Sequence, residues 1–349
     1  MKLVNFTLIA ALVVLTFYLL IVGQRLLLPL VIALVFWYLI NMMANSFKRM
    51  QLAGKPLPNW TRYTLAILVF VGIIWAVVKL ISMNIDGVIQ VAPTYQANLE
   101  ARMNSFLMYF GIEEAPTLSQ FVDTINFREI ITSLASALTN VAASGGIILI
   151  YVGFLLFEQG TLDTKISAMI NDPAKERRVR RLLRKIGEDV RKYIAIKMLT
   201  STMTGLLSYA FLKFVGVDFS EFWAILIFLL NFIPTIGSII ATVFPSLITL
   251  VQFDSLTPFF LVVGGVTTIQ ICIGNVLEPR LMGNSLNLSP MIILLNLSLW
   301  GMIWGVLGMF LCVPFLVISM IVFSHLPQTR PIAVLLSRDG QVSTLSEEG

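Results

Sequence analysis

Charged residues, histidine and cysteine are all scarce in this sequence. Charged residues make up 12% of its 349 positions, about half the share found in a typical soluble domain. The single histidine, His325, is too few for a histidine-based metal site built from this chain alone. The two cysteines, Cys272 and Cys312, lie in apolar runs and form no Cys-x-x-Cys pair, so we interpret them as small packing residues. Metal and thiol chemistry are therefore poor explanations of the function.

The motifs that bind nucleotides or mark common hydrolases are also missing. The sequence contains no Gly-x-x-x-x-Gly-Lys-Ser/Thr loop for ATP, no Gly-x-Gly-x-x-Gly after a strand and no His-Glu-x-x-His. An ATP-driven pump would have to take its nucleotide site from a partner chain. We predict no catalytic residue, no metal site and no cofactor, and an enzymatic function would need a substrate that purified protein alters covalently.

Long apolar runs take the place of these motifs. Hydrophobic residues make up 57% of the chain, and the mean hydropathy is +0.88. A helix needs about 20 apolar residues to cross the roughly 30 Å hydrocarbon core of a bilayer, and four runs approach that length: Leu3–Val22, Leu26–Ala44, Thr64–Ser82 and Pro258–Ile273. The first run is longer than the apolar part of a signal peptide and a second follows at once, so we expect a retained helix. The predicted fold class is an all-α, polytopic transmembrane protein.

The distribution of charge predicts the orientation in the membrane. Lys48, Arg49, Lys55 and Arg62 follow the second run without any acid, and cytoplasmic loops are rich in lysine and arginine. The stretch near 83–140 is acidic and belongs outside, whereas 158–197 is the most basic segment and belongs inside. Both termini are then cytoplasmic in a bacterial inner membrane. The net charge of +5 comes largely from an amphipathic helix without interleaved aromatic residues, so we predict a bilayer anchor and no nucleic-acid partner.

The chain divides into segments with different expected roles. Leu99, Met103 and Phe106 recur at helical spacing in the external part, and a second helical piece is predicted at Leu118–Leu138. Asp172 before Pro173 is typical of a helix start. The predicted segments are the N-terminal transmembrane helices (1–82), an extracytoplasmic helical insert (83–140), a transmembrane helix (141–157), a cytoplasmic basic amphipathic helix (158–197), a C-terminal transport region with re-entrant segments (198–326) and a polar, partly disordered cytoplasmic tail (327–349).

Two interruptions in the C-terminal apolar region carry the functional prediction. The first reads N-F-I-P-T-I-G-S over Asn231–Ser238, and the second covers Gly274–Pro290; further breaks are expected at Pro245 and Asp254–Pro258, and a kink at Pro314. Unpaired backbone at membrane depth is tolerated only inside protein or beside a wet cavity, and transporters place substrate at such broken helices. The predicted solute path consists of Asn231, Pro234, Thr235, Gly237, Asn275, Glu278, Pro279, Arg280 and Gly283.

Charged residues in the second interruption point to a coupling group. A charge beside a near-spanning apolar run is costly unless it pairs or faces water, and such charges mark functional sites. We interpret Glu278 as the group that responds to a proton or ion, with Arg280 as its partner. A plain cytoplasmic turn with a local Glu–Arg pair would explain the same spacing. The two interruptions share an order of Asn, Pro and Gly, which is typical of a transporter built from repeats.

These same motifs resemble the autoinducer-2 exporter family of bacterial membrane proteins. The resemblance rests on Asn231–Ser238, on G-N-V-L-E-P-R-L-M-G at Gly274–Gly283, and on Leu288-Ser289-Pro290 with the glycines that lead to Pro314, and it extends over almost the whole chain. It implies secondary export of a small polar signalling molecule derived from a dihydroxypentanedione. It also implies a homo-oligomer, a pentamer, in which the broken segments move in an elevator-like manner against a scaffold.

Two other functions stay open at this point. Some members of the family are described as sodium- or proton-coupled antiporters, which makes a cation/proton antiporter the first alternative. It is weakened because the remaining candidate acids, Glu158, Asp218, Glu221 and Asp254, all lie near segment ends. A membrane scaffold built on the external insert is the alternative from another class. Deleting the insert while measuring flux would separate a scaffold role from transport.

Overall fold

The computed structural model describes residues 2–49, 51–52, 55–109, 143–283, 287–326 and 328–341. Within these ranges the chain is almost entirely helical. The helices in chain order are α1 (Lys2–Val22), α2 (Gln24–Ser46), α3 (Asn59–Tyr109), α4 (Gly145–Glu158), α5 (Leu162–Met169), α6 (Pro173–Val215), α7 (Ser220–Leu230), α8 (Ile236–Gln252), α9 (Thr257–Gln270), α10 (Glu278–Met282), α11 (Pro290–His325) and α12 (Arg330–Leu336).

Short elements join some of these helices. A 3-10 turn at Phe47–Arg49 and a two-residue antiparallel pair, β1 (Gln51–Leu52) with β2 (Lys55–Pro56), connect α2 to α3. A π-helical segment, Ile271–Leu277, joins α9 to α10 without a break. The second predicted helix of the external insert lies outside the described residues.

The chain forms two compact units. The first consists of Met1–Ile74, Asn140–Arg191 and Leu286–Gly349, and the second of Trp75–Thr139 and Lys192–Ser285. Two of the unit boundaries fall inside long helices, one in α3 with 51 residues and one in α6 with 43 residues. The segment boundaries predicted at 82 and at 197 also lie inside these helices. The basic amphipathic stretch and the apolar stretch after it therefore form one helix.

In the first unit, α2 packs against α3 and α4. Small buried residues of α2 and α3, Ala33, Ala44 and Ala66, lie in a core with Phe70 and Ile148, and small residues let membrane helices approach closely. α6 begins as its sequence predicts: the Asp172 carboxylate accepts hydrogen bonds from the backbone N–H of Ala174 at 2.8 Å and of Lys175 at 3.4 Å. This is the N-cap arrangement that satisfies the free N–H groups of a helix start.

Helix α11 reverses direction in its middle. Trp304 (φ −127°, ψ 15°) and Gly305 (φ +63°, ψ −144°) leave helical geometry. The Asn296 side-chain amide donates to the Cys312 carbonyl oxygen at 2.5 Å, although these residues would be about 24 Å apart along a straight helix. α11 is therefore a helical hairpin. Pro314, where a kink is predicted, lies inside the second limb, and the reversal is at Trp304–Gly305, where glycine can adopt a positive φ.

The second unit contains a hairpin of two helices, α7 and α8. They are joined by the turn Asn231–Thr235, and the rings of Trp223 and Phe244 stack across the hairpin with centroids 6.3 Å apart. A Cβ at Gly237 would overlap the Leu230 carbonyl oxygen, so this crossing needs glycine. The first predicted interruption is confirmed.

The structure agrees with the other predicted interruptions only in part. The chain does break between Gln252, which ends α8, and Thr257, which begins α9. Pro245 lies inside α8 and does not break it. The helical path also continues through Gly274 to Met282 as the π-helical segment and α10, and it ends only at Gly283 (φ +57°). A helix can absorb an extra residue as a wide π turn and keep its backbone bonded, which is why the second predicted interruption starts later than expected.

Several of these helices can cross a membrane. In the described part of the chain, four are long and apolar enough: Gln24–Ser46, Asn59–Asn84, Thr257–Met282 and Pro290–His325. The pair α4 and α5, bent by 66°, raises the number to five if it forms one span. The all-α polytopic fold with re-entrant segments is confirmed. Because α11 folds back, its 36 residues do not cross as one straight helix.

The C-terminal segment is ordered further than its polarity predicts. α12 covers Arg330–Leu336, and the Ser289 backbone N–H donates to the Leu336 carbonyl oxygen at 3.0 Å. The Asn287 side-chain amide contacts Asp339 and donates to the Gln341 carbonyl oxygen at 2.9 Å. The expectation of a partly disordered tail is therefore corrected for residues 330–341, which bind the start of α11.

Candidate functional site

A line of buried polar side chains runs along α6 in the second unit. Polar residues recur every three or four positions, so they share one face of the helix. These residues lie in an otherwise apolar stretch, and each is almost completely buried. They are Lys197, Thr200, Ser201, Thr204 and Ser208. Burial of polar groups is costly unless they find partners, and the partners of this face define the candidate site.

Lys197 forms a buried ion pair with Glu278. The Lys197 ammonium donates to both carboxylate oxygens of Glu278, at 2.8 and 3.0 Å, and the Thr200 hydroxyl donates to the second oxygen at 3.2 Å. The side chains of Lys197 and Glu278 are only 8% and 14% exposed. Removing two charges from water is costly and is compensated only by close pairing with additional hydrogen bonds. The Thr200 hydroxyl supplies one of these bonds.

The first interruption reaches the same face of α6. Asn231, at the start of the α7–α8 turn, is buried, and its side-chain amide donates to the Ser201 hydroxyl at 3.0 Å. Ser201 directly follows Thr200, which contacts Glu278. The two sequence motifs, more than forty residues apart, are therefore brought to one helix face. We call the set Lys197, Thr200, Ser201, Asn231 and Glu278 the polar cluster.

The partner predicted for Glu278 is wrong. Arg280 lies two residues further along α10 and its side chain is exposed, and within the described residues the ion pair of Glu278 is with Lys197. Residues two positions apart on a helix point in different directions, so a local Glu–Arg pair is geometrically unfavourable. The π-helical segment directly before Glu278 is a feature that is frequent at functional sites.

The other predicted path residues lie outside the polar cluster. Pro234 and Thr235 form the tip of the α7–α8 turn, where Thr235 has a positive φ of 60°, a sparsely populated conformation for a residue with a Cβ. Gly237 is buried at the hairpin crossing described above. The remaining members are exposed along the π-helical segment and α10 or at their end: Asn275, Pro279, Arg280 and Gly283.

Sequence reasoning missed the contribution of α6. The pattern K-M-L-T-S-T-M-T-G-L-L-S over Lys197–Ser208 places a lysine and several hydroxyls at helical spacing inside a mostly apolar stretch. An ionisable residue in such a stretch is itself a signal of function. The prediction places Lys197 at the end of the basic cytoplasmic segment 158–197, where a lysine is common.

The polar cluster has the chemistry to bind a polar solute. An amide, two hydroxyls and a neutralised charge pair can hydrogen-bond a polar solute. In the described ranges, no three His, Cys, Asp or Glu side chains are grouped so that they could hold a metal ion. Buried polar groups beside a re-entrant turn in a polytopic helical protein are typical of membrane transporters.

Comparison with known proteins identifies the family. The model of the AI-2E family transporters matches residues 7–328, so the chain belongs to the AI-2E transporter family. The protein is a multi-pass transporter of the bacterial inner membrane, with a small molecule and the lipid bilayer as its partners.

Individual relatives carry transport names. The AI-2 transport protein TqsA of Escherichia coli K12 is 32% identical over 236 residues, which cover 67% of each chain. A transport protein of Borreliella burgdorferi is 31% identical over 259 residues, 73% of this chain and 70% of its own. YhhT of Escherichia coli K12, whose name assigns it to transport without a solute, is 29% identical over 311 residues, 88% of this chain and 86% of its own.

Proposed function

We propose that the protein exports a small, uncharged polar signalling molecule of the autoinducer-2 type by secondary transport. The observation that carries the proposal is the polar cluster, in which Asn231 and Ser201 lie beside the Lys197–Glu278 ion pair. Amide and hydroxyl groups suit a solute with several hydroxyl and carbonyl oxygens. The name of TqsA supports the same solute class.

The ion pair also supports coupling to protons. The Lys197 ammonium already contacts both carboxylate oxygens of Glu278, so a sodium ion would have to displace it. A proton needs only to neutralise the carboxylate. Breaking a buried ion pair by removing one charge costs about 3–5 kcal/mol, which is enough to bias a transporter strongly between two conformations.

The location of the whole polar cluster within one unit supports an elevator-like cycle. All members of the polar cluster belong to the second unit, so their contacts would be kept if that unit moved as one body. The α7–α8 hairpin and the folded α11 are both re-entrant in form. If the N-terminus is cytoplasmic and α1, α2, α3, α4, the apolar half of α6 and α9 each cross once, α7–α8 enters from outside, α11 enters from the cytoplasm and the C-terminus is cytoplasmic.

Flux of a labelled signal in proteoliposomes tests this function. Purified protein is reconstituted, and efflux of labelled dihydroxypentanedione-derived signal is followed under an imposed proton gradient and, separately, a sodium gradient. The expected result is flux driven by the proton gradient in the wild type, and loss of that coupling in Glu278→Gln, which cannot ionise. Glu221→Gln is the matched control. It removes the acid of an exposed ion pair whose lysine, Lys213, lies on α6 as Lys197 does.

Three other outcomes would contradict parts of this proposal or assign a further role to the external segment. Unchanged gradient-driven flux in Glu278→Gln would remove Glu278 from the coupling mechanism. Sodium-for-proton exchange without any flux of the signal would assign the protein to the cation/proton antiporters. Loss of flux on deleting the external segment alone, with the polar cluster intact, would give that segment more than a scaffold role.

A further inference from the structure

Three polar groups in the second unit are buried and have no hydrogen-bond partner among the residues that the structure describes. They are the Ser208 hydroxyl on α6, the Trp223 indole N–H on α7 and the Gln270 side-chain amide nitrogen on α9. Ser208 is 0% exposed, Trp223 1% and Gln270 8%. A buried polar group without a partner destabilises the fold, and native proteins contain few of them.

Neighbouring hydroxyls show that the local helices can satisfy such groups. Thr202 donates to the Met198 carbonyl oxygen at 2.7 Å, Thr204 to Thr200 at 2.8 Å and Thr268 to Gly264 at 2.7 Å. Each bond reaches back to the carbonyl four residues earlier, the usual solution for a hydroxyl in a helix. The Ser208 hydroxyl makes no such bond, so its hydrogen-bonding capacity is left for a partner from elsewhere.

The contacts of α6 with α9 define the position of Gln270 along the axis of α6. At one end, the Phe211 ring lies so close to Gly265 that a Cβ there would overlap it. At the other end, Lys197 pairs with Glu278. The two helices are therefore antiparallel, and interpolation between these contacts places Gln270 opposite the stretch from Thr204 to Ser208.

The contacts of α6 with α7 define the level of Trp223 in the same way. Ser201 accepts a hydrogen bond from Asn231, and the Tyr209 hydroxyl donates to Glu221 at 3.2 Å. α7 is thus also antiparallel to α6, and Trp223 lies opposite the turn of α6 that contains Ser208. The three unpaired groups fall at one level of the α6–α7–α9 packing, about three helical turns from Lys197 and about two from Ser201.

We propose that Ser208, Trp223 and Gln270 line a solute-binding pocket beside the polar cluster. The proposal rests on the transport function above and narrows its substrate class. Two N–H donors and one hydroxyl, with no carboxylate among them, fit an uncharged small molecule that presents carbonyl and hydroxyl oxygens. The two N–H groups oppose a cation, which would need oxygen ligands in their place.

Equilibrium binding to purified full-length protein tests the pocket. The probe is radiolabelled 4,5-dihydroxypentane-2,3-dione, with labelled ribitol as a second probe. Ser208→Ala and Gln270→Met each remove one hydrogen-bonding group at nearly constant shape, and each should weaken probe binding about 3- to 10-fold, as expected for one neutral hydrogen bond. Thr268→Val is the matched control, because its exposed hydroxyl is already bonded within α9, and it should bind as the wild type does.

The melting temperature without probe distinguishes binding from a structural role. Ser208→Ala removes an unpaired buried hydroxyl, so the melting temperature should stay the same or rise. Lower melting temperatures with unchanged probe affinity in Ser208→Ala and Gln270→Met would overturn the pocket and leave the export function standing. Ribitol binding that depends on Ser208, in protein that shows no signal flux, would refute the export function and support the pocket. Binding of neither probe by the wild type would overturn the pocket as well.

Discussion

At the scale of single residues, the Lys197–Glu278 pair determines whether either charge can be buried. Both side chains are largely inaccessible, so Lys197→Met leaves a buried carboxylate without its partner. We expect this variant to lower the free energy of unfolding by about 3–5 kcal/mol. Combining it with Glu278→Gln removes both charges and should recover most of that loss. Thermal unfolding in detergent measures both effects.

An exposed ion pair between α6 and α7 provides the control. Lys213 and Glu221 are 61% and 42% exposed, and exposed ion pairs contribute about 0–1 kcal/mol. Lys213→Met should therefore change the stability little. A loss as large as that of Lys197→Met, or a double variant that recovers nothing, would show that burial of the Lys197–Glu278 pair is not what matters.

Glu176 near the start of α6 gives a prediction about pH. Its carboxylate accepts hydrogen bonds from Ser167 and Arg180, both at 2.8 Å, and these bonds lower its pKa from the ordinary value of 4.5. A carboxyl group with a lowered folded-state pKa stabilises the fold above its unfolded-state pKa, and this stabilisation is lost as the pH falls through the folded-state value.

Ser167→Ala should therefore reduce the acid sensitivity of the protein. The variant removes the largest cause of the lowered pKa, so its melting temperature should fall less than that of the wild type between about pH 7 and about pH 4. Ser255→Ala, whose hydroxyl bonds to Thr257 and not to a carboxylate, is the control and should behave as the wild type. Identical pH dependence in Ser167→Ala and wild type would contradict the assignment.

At the scale of elements, the hairpin of α11 depends on close contact between its limbs. A Cβ at Gly308 would overlap the Trp300 carbonyl oxygen, whereas a Cβ at Gly264 in α9 meets nothing within 4 Å. Gly308→Ala should destabilise the protein by about 1–3 kcal/mol through overpacking. Gly264→Ala should be neutral or stabilise it slightly, since alanine favours the helix. Thermal unfolding of the two variants separates the hairpin contact from a general effect of replacing glycine.

Local chemistry explains which elements could be predicted from sequence. The start of α6 follows from Asp172 and Pro173, and the α7–α8 turn follows from Asn231, Pro234 and Gly237, because these residues impose caps and breaks on their own neighbours. Contacts between distant parts of the chain could not be predicted in this way. Glu278 and Lys197 are separated by 81 positions, and no spacing rule connects them.

The reversal of α11 was missed for a different reason. Trp304 and Gly305 lie in an almost wholly apolar run without a polar residue to mark a turn. Hydropathy is the same for a straight span and for a hairpin whose limbs bury each other. Pro314 is the stronger local signal for a break, but it lies in the second limb and not at the reversal.

At the scale of the whole molecule, the exposed apolar surface is compatible with both lipid and further copies of the chain. Leu12 and Val14 of α1 are 66% and 68% exposed, as residues that face hydrocarbon or another subunit would be. We expect a homo-oligomer, and a pentamer in particular, from the resemblance of the sequence to its family. Native mass spectrometry in mild detergent should give about five times the chain mass of 38.9 kDa. A monomer at micromolar concentration would contradict this expectation.

The contact between the C-terminal segment and the start of α11 has a consequence for biosynthesis. Ser289 and Asn287 are bonded to Leu336 and Gln341, which the ribosome adds about 50 residues later. At typical synthesis rates of about 5–20 residues per second, the first limb of the hairpin waits several seconds for these partners. The base of the hairpin can therefore close only after α12 has been synthesised, and a chain that stops short of α12 lacks the partners of Ser289 and Asn287.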